Sequence, residues 1–237
     1  KQFSVMFSFP PTNHFTSDLD MILVGLIVER ISGKSLDAYL KQYFWTPLGM
    51  NRTGFRPTNG AGDDLAVVPT EKDTYFRKKL MQGEVHDECA WVLGGTSGHA
   101  GLFSTANDLA IFAHMMLNEG SYGGQQYLKP ETIRLFTKVQ QSGFSTRALG
   151  WDTKPRSGYT TAGTQWGPRS YGHTGFTGTS IWIDPDAKLF AILLTNRVYP
   201  TRENQKIREI RPKYADMVWD LIKNGKINTT KPVNRTW

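Results

Sequence analysis

The chain has 237 residues, 39% hydrophobic and 12% aromatic, with a net charge of +7. That is apolar material enough for one large domain or two small ones with a real core, and no run of about 18 apolar residues is present to cross a membrane. A single cysteine, Cys89, excludes an internal disulfide and a cysteine-rich metal site, and a buried thiol is its expected state.

Residues 1–16 read as an irregular lead-in holding Pro10-Pro11, without a signal-peptide pattern. Because the chain opens on Lys1 rather than Met, a natural start upstream is expected. The stretch "SDLDMILVGLIVERISGKS" then predicts a helix. Ser17 or Asp18 caps it, Met21, Val24, Leu26, Val28 and Ile31 make it apolar nearly all round, and Gly33 stops it. Such a helix is expected in the core. Ser35 caps a second helix, "SLDAYLKQYFW", which should end at Pro47. Residues 51–95 are rich in Gly, Pro, Asp and Thr with little periodicity, and read as a long surface excursion of the kind that serves a site.

"GGTSGHAGLFSTANDLAIFAHMMLNEG" predicts a loop followed by a helix. Thr105 and Asp108 have capping-box spacing, and Leu109, Phe112, Met116 and Leu117 form the buried face. Pro130 opens a further helix in "KPETIRLFTKV". "TSIWIDPDAKLFAILLTNRV" is two apolar runs around an Asp-Pro turn, an antiparallel hairpin. "PKYADMVWDLIKNG" is a helix with Ala215, Val218, Trp219 and Ile222 on one face. Helices, then a hairpin, then a helix predict an α+β fold with helices packed on an antiparallel sheet. One domain over residues 1–225 and a loosely held tail over 226–237 are expected. Arg197, Arg202, Lys206, Arg208, Arg211 and Lys213 concentrate the positive charge late in the chain. Glu203 and Glu209 interrupt them and no aromatics interleave, so a solvated helix face is expected rather than a nucleic-acid surface.

The chemistry concentrates in "SYGHTGFTGTSIWIDP", residues 170–185, where glycines and small polar groups crowd the edge of an apolar strand. Acyl transfer needs donors aimed at a developing oxyanion. The Phe176 N–H beside Gly175, the Thr174 hydroxyl and the His173 ring are candidates for that work. Spacing alone divides evenly between a catalytic wall and a glycine-rich bulge with a satisfied histidine. Other motifs fail. Gly33-Lys34-Ser35 lacks the earlier glycine of a phosphate loop, Val28 standing in its place, and in "GTSGHAG" His99 replaces the last glycine of Gly-x-Ser-x-Gly. The five histidines form no His-Glu-x-x-His, so neither a metal nor a cofactor is expected.

"YGHTGFTGTSIWIDP" resembles the third motif of the serine β-lactamase and penicillin-binding-protein superfamily, in the His-Thr-Gly form similar to class C β-lactamases, esterases and D-aminopeptidases. "LVGLIVERISGKSLDAYLKQYFWTPLGMNRTGF", "GGTSGHAGLFSTANDLAIFAHMML" and "LFAILLTNRVYPT" resemble other segments of that family, in its order. The resemblance implies a β-lactamase/transpeptidase-like fold, shortened at its N-terminus. It also implies an acyl-enzyme reaction on a β-lactam, a D-amino-acid peptide or a small ester, in a periplasmic or secreted setting. Residue by residue, it assigns His173, Thr174 and Gly175 to the third motif, beside the Phe176 N–H already read as an oxyanion donor. Thr16-Ser17-Asp18 falls on the family's Tyr-Ser-Asn, making Ser17 and Asp18 catalytic candidates that read equally well as helix caps. Thr16 stands where the family has Tyr. A phenol, of pKa about 10, can be tuned toward a general base, and an aliphatic hydroxyl cannot. No Ser has Lys three residues on, so the Ser-x-x-Lys nucleophile is expected upstream of Lys1 or lost. The alternative is a catalytically silent relative. His86 and His99 are expected to be structural, and Tyr171 and Trp166 to belong to the core.

Overall fold

A computed structural model of the protein describes residues 18–57, 67–140 and 145–225. In chain order the elements are α1 (Asp18–Ser32), α2 (Leu36–Leu40), a π-helical stretch (Lys41–Trp45), α3 (Thr46–Leu48), β1 (Gly54–Phe55), β2 (Glu71–Lys72), β3 (Leu80–Met81), α4 (Glu88–Val92), β4 (Leu102–Phe103), α5 (Ala106–Leu117), β5 (Ser121–Tyr122), β6 (Gln125–Gln126), α6 (Pro130–Thr137), β7 (Asp152–Thr153), β8 (Tyr171–Thr174), β9 (Ser180–Asp184), β10 (Leu189–Leu193) and α7 (Ile207–Lys223). The central sheet runs β10-β9-β8-β7, antiparallel throughout, and three two-stranded pairs, β1–β4, β2–β3 and β5–β6, surround it.

The period of two along β9 explains why its sequence is apolar without alternation. Ile181 and Ile183 point to one face, where Ile183 joins a cluster with Trp45 of the π-helical stretch, Leu48 of α3, Ala113, Met115 and Met116 of α5 and Ile133 of α6. Trp182 points to the other, onto Ala162, Trp166 and Ala215 of α7. Both faces are covered by helices, so both sets of side chains must be apolar. Each large side chain buried this way contributes about 2 kcal/mol before chain entropy is charged against it.

The predicted hairpin forms, with Asp184 as its organiser. Its carboxylate accepts from the N–H groups of Asp186 and Ala187, at 2.9 Å each, and from Gly167 N at 2.8 Å and Ser170 Oγ at 3.0 Å. Thr105 caps α5 as expected, accepting from Asp108 N at 3.2 Å. The Asp108 carboxylate does not return the bond. It accepts instead from Arg52 N and Thr53 Oγ1, both at 2.8 Å, and so ties α5 to the β1 approach.

Several expectations are corrected. α1 is not a core helix: only Gly25 is buried, and Leu19, Val24, Leu26, Ile27 and Ile31 are 49–82% exposed, because no described element covers that side. It packs tightly against the loop at Gly98, where an added Cβ would stand 2.1 Å from the Met21 carbonyl oxygen, and Glu29 accepts from Leu36 N at 2.8 Å. The second helical run passes through Pro47 to Leu48, since the π-helical stretch before Pro47 lets the chain keep turning where the ring removes a donor. α7 likewise starts at Ile207, ahead of Pro212, with Ile207 buried under its first turn, and Ile222 proves exposed near its end. Within 51–95, the described residues hold a hairpin, a short helix and a buried centre around Met81, Val85 and Asp73, so this stretch is folded rather than a bare excursion. Cys89 is exposed, because it faces outward from α4 while Ala90 takes the buried position.

Candidate active site

β8 carries the predicted wall. Pairing of Gly172 with Trp182 and of His173 with Ile181 fixes its register. Gly172 is required there, since a Cβ would come 2.3 Å from the Ile181 carbonyl oxygen. Tyr171 and Trp166 are 2% exposed and are core residues, as expected. Burial pushes the Tyr171 phenol up, which removes it as a proton carrier at neutral pH. His173, two positions along β8, shares the face of Tyr171 and is exposed. Its Nδ1 lies 3.0 Å from the Thr174 carbonyl oxygen, a bond that needs Nδ1–H and leaves Nε2 as the acceptor in the neutral ring.

Beyond Thr174 the chain closes a tight turn. Gly175 N–H donates to Thr179 O at 2.9 Å and Gly178 N–H to Gly175 O at 3.0 Å. Gly175, with no side chain of its own, would leave room for a substrate if nothing else filled that space. The room is in fact taken by Thr179, whose Oγ1 stands 2.3 Å from where a Cβ would be. The glycine therefore serves the turn, and the N–H groups of Phe176 and Thr177 at its tip both meet no acceptor among the described residues. The carbonyls from Gly175 to Thr179 are all engaged. Arg211 donates to Gly175 O at 2.6 Å and Thr179 O at 2.8 Å, Arg197 Nε to Phe176 O at 2.7 Å, Arg197 N to Thr177 O at 2.9 Å, and Thr195 Oγ1 to Gly178 O at 2.7 Å. Neither guanidinium has a carboxylate partner among the described residues, and burial draws both below the usual arginine range. Arg197, Arg211 and Arg202 thus correct the expectation of a solvated basic face: they are turned inward onto carbonyls and Glu71, while Lys206, Arg208 and Lys213 stay exposed.

Of the second predicted corner, Thr16 and Ser17 lie outside the described residues. Asp18 is the exposed first residue of α1 and makes no hydrogen bond to His173 among the described residues. His99 sits in a hydrogen-bonded chain, with Ser97 Oγ 2.8 Å from its Nδ1 and Asp87 Oδ1 2.9 Å from its Nε2. This is the order of a nucleophilic triad, but Ser97 and the His99 side chain are buried, and Asp87 also caps α4 through Ala90 N at 2.8 Å. The chain latches the glycine-rich loop to α4, and no substrate can reach its hydroxyl.

The Beta-lactamase family profile matches residues 6–215. The chain belongs to the beta-lactamase family. Its relatives include a protein of Escherichia coli K12 named "Putative D-alanyl-D-alanine carboxypeptidase", 38% identical over 210 residues that cover 83% of this chain and 48% of the relative. The chain thus spans about half the length of the curated relatives it matches. Among solved structures, a beta-lactamase from Mycobacterium bovis superposes with a TM-score of 0.63 at 21% identity, covering 90% of this chain and 65% of that one. The octameric penicillin-binding protein homologue from Pyrococcus abyssi gives 0.61 at 22% identity, covering 92% and 44%. These likenesses establish the α+β fold of the serine β-lactamase and penicillin-binding-protein class.

In this beta-lactamase-family chain, one cluster beside the wall was not legible in the sequence. Glu71 and His86 are buried, with His86 Nε2 2.7 Å from Glu71 Oε2. Arg202 grips the same carboxylate with Nε at 2.9 Å, NH2 at 2.6 Å and its own backbone N–H at 3.1 Å, and reaches Glu88 at 2.9 Å. The Arg202 bond, chiefly, holds the Glu71 carboxyl down at about 2. Asp73 lies well below the usual carboxylate range although burial raises it, because Arg77 and the N–H groups of Arg77, Phe76 and Tyr75 outweigh that cost. A cleft of about 290 Å³ opens between Glu71–Tyr75 and Pro200–Glu203. The only hint in sequence was the run Val85-His86-Asp87-Glu88, because Arg202 lies 131 positions from its partner Glu71. Among the described residues no group of three potential ligands gathers around a metal position, and no helix is long and apolar enough to cross a membrane.

Proposed function

We propose that the protein to which these residues belong is a serine hydrolase acting through an acyl-enzyme, with D-amino-acid-terminated peptides as its substrate class and β-lactams or small esters as surrogates. The single observation that supports this is the exposed His173 near the end of β8, followed by a clamped turn that leaves the Phe176 N–H, with that of Thr177, without an acceptor among the described residues. On this reading that N–H faces the oxyanion, Thr174 and His173 hold or protonate the substrate end, and Ser17 and Asp18 form the opposite corner. The nucleophile, a Ser paired with Lys, is supplied by polypeptide outside these residues, because no Ser here has that spacing. The name carried by the E. coli relative supports the peptide substrate, and the setting that goes with the reading is periplasmic or secreted. The absent Ser-x-x-Lys favours a second reading, a binding protein that keeps the pocket without the chemistry.

Fluorescent penicillin separates the two. Residues 1–237 alone should remain unlabelled. The polypeptide extended upstream to a Ser-x-x-Lys should label at one Ser, and His173→Ala in it should lower acylation by about 10²-fold with its melting temperature unchanged. Labelling of the short chain, or none of the extended one, would overturn the serine-hydrolase reading.

A further inference from the structure

Phe176 is 58% exposed, so burial does not hold its ring. Two groups do. The His86 ring lies 5.6 Å away at an interplanar angle of 18°, a stack, and the Arg197 guanidinium lies 4.3 Å from the ring centroid while its Nε binds the Phe176 carbonyl. His86 is itself 7% exposed and is fixed by a carboxylate that can only accept, so Nε2 carries the proton. Glu71 is fixed in turn by the Arg202 fork, and Lys72 N–H donates to Pro200 O at 3.0 Å, which zips β2 to the 200–202 segment. Three segments therefore meet beneath one aromatic ring, at a residue whose N–H is one of the turn's two spare donors.

We infer that His86, held by Glu71 and Arg202, is a positioning residue for Phe176: it sets the orientation of the 175–178 turn from outside the strand. This deepens the reading above and rests on it for the role of the Phe176 N–H. The stack itself is independent of that role. An aromatic pair of this kind restrains a turn without touching substrate. Its loss should loosen the turn while the sheet, held by its own ladder and by Asp184, stays intact.

The experiment is amide hydrogen exchange on the 237-residue chain, followed at Gly178 N–H and Arg197 N–H, whose acceptors are Gly175 O and Thr177 O. His86→Leu and, from the exposed side, Phe176→Ala should each speed exchange at these amides by about tenfold, leaving β9 and β10 amides at their original rates. His86→Phe keeps a ring and loses the Glu71 bond, and should restore slow exchange. Unchanged rates in Phe176→Ala, or acceleration spread equally over the sheet, would overturn the proposal, as would a His86→Phe as fast as His86→Leu. In the extended polypeptide, His86→Leu should slow the acylation step without weakening the initial binding of penicillin. If the unsubstituted polypeptide never acylates, the hydrolase reading fails, while the exchange rates still decide the placement of Phe176.

Discussion

At the scale of single residues, two carboxylates carry more of the structure than any motif residue. Glu71 is held at about 2, against an ordinary 4.5, chiefly by its bond to Arg202. A folded value below the unfolded one means that its stabilisation is present above pH 4.5 and is lost as pH falls toward 2. Urea midpoints measured across that window should fall with acid, and Glu71→Gln should flatten the fall. An unaltered slope in the variant would show that other groups drive it. Asp184, fully buried, satisfies four donors from two segments of chain, 167–170 and 186–187. Asp184→Ala would leave those donors unpaired inside the protein, and should cost about 3 kcal/mol in urea unfolding. A loss under about 1 kcal/mol would mean that water takes its place.

At the scale of elements, α1 shows how far a pattern can be right about shape and wrong about surroundings. Its apolar residues and Gly33 make a helix ending where expected, yet the helix touches the rest of the described chain along a narrow strip. The strip depends on two glycines: the backbone of Gly98 lies against the Met21 carbonyl, and Gly25 faces Gly98 N. Gly98→Ala should therefore push α1 from the loop and lower stability by about 2 kcal/mol, whereas Ile31→Ser, at an 82% exposed position, should change it by less than about 0.5 kcal/mol. Thermal melts of the two variants side by side check this. A costly Ile31→Ser would show that the outer face of α1 is covered in solution.

At the scale of the whole molecule, two apolar clusters lie on opposite faces of one sheet and share β9, through Ile183 on one side and Trp182 on the other. Neither cluster can be lost without disturbing the strand that anchors the other. Met115→Ala from one cluster and Trp219→Ala beside the other should accordingly shift a single unfolding midpoint, identical by tryptophan fluorescence and far-UV circular dichroism, each by about 3 kcal/mol. Separate transitions by the two probes would break the one-domain picture.

The local order of the chain was legible from sequence because local chemistry decides it. Thr105 before α5, the Asp184-Pro185 turn and the two apolar runs of the hairpin form the elements expected of them. Spacing alone leaves the His-Thr-Gly stretch evenly divided between two readings, and the family was legible from the order of its segments. What required the tertiary structure was every relation between distant residues. Gly175 faces Thr179 rather than open space, three arginines turn inward instead of outward, and Glu71 finds Arg202 across 131 positions. Burial and charge pairing are properties of what packs against a residue, and no window of sequence contains the partner that folding brings to it.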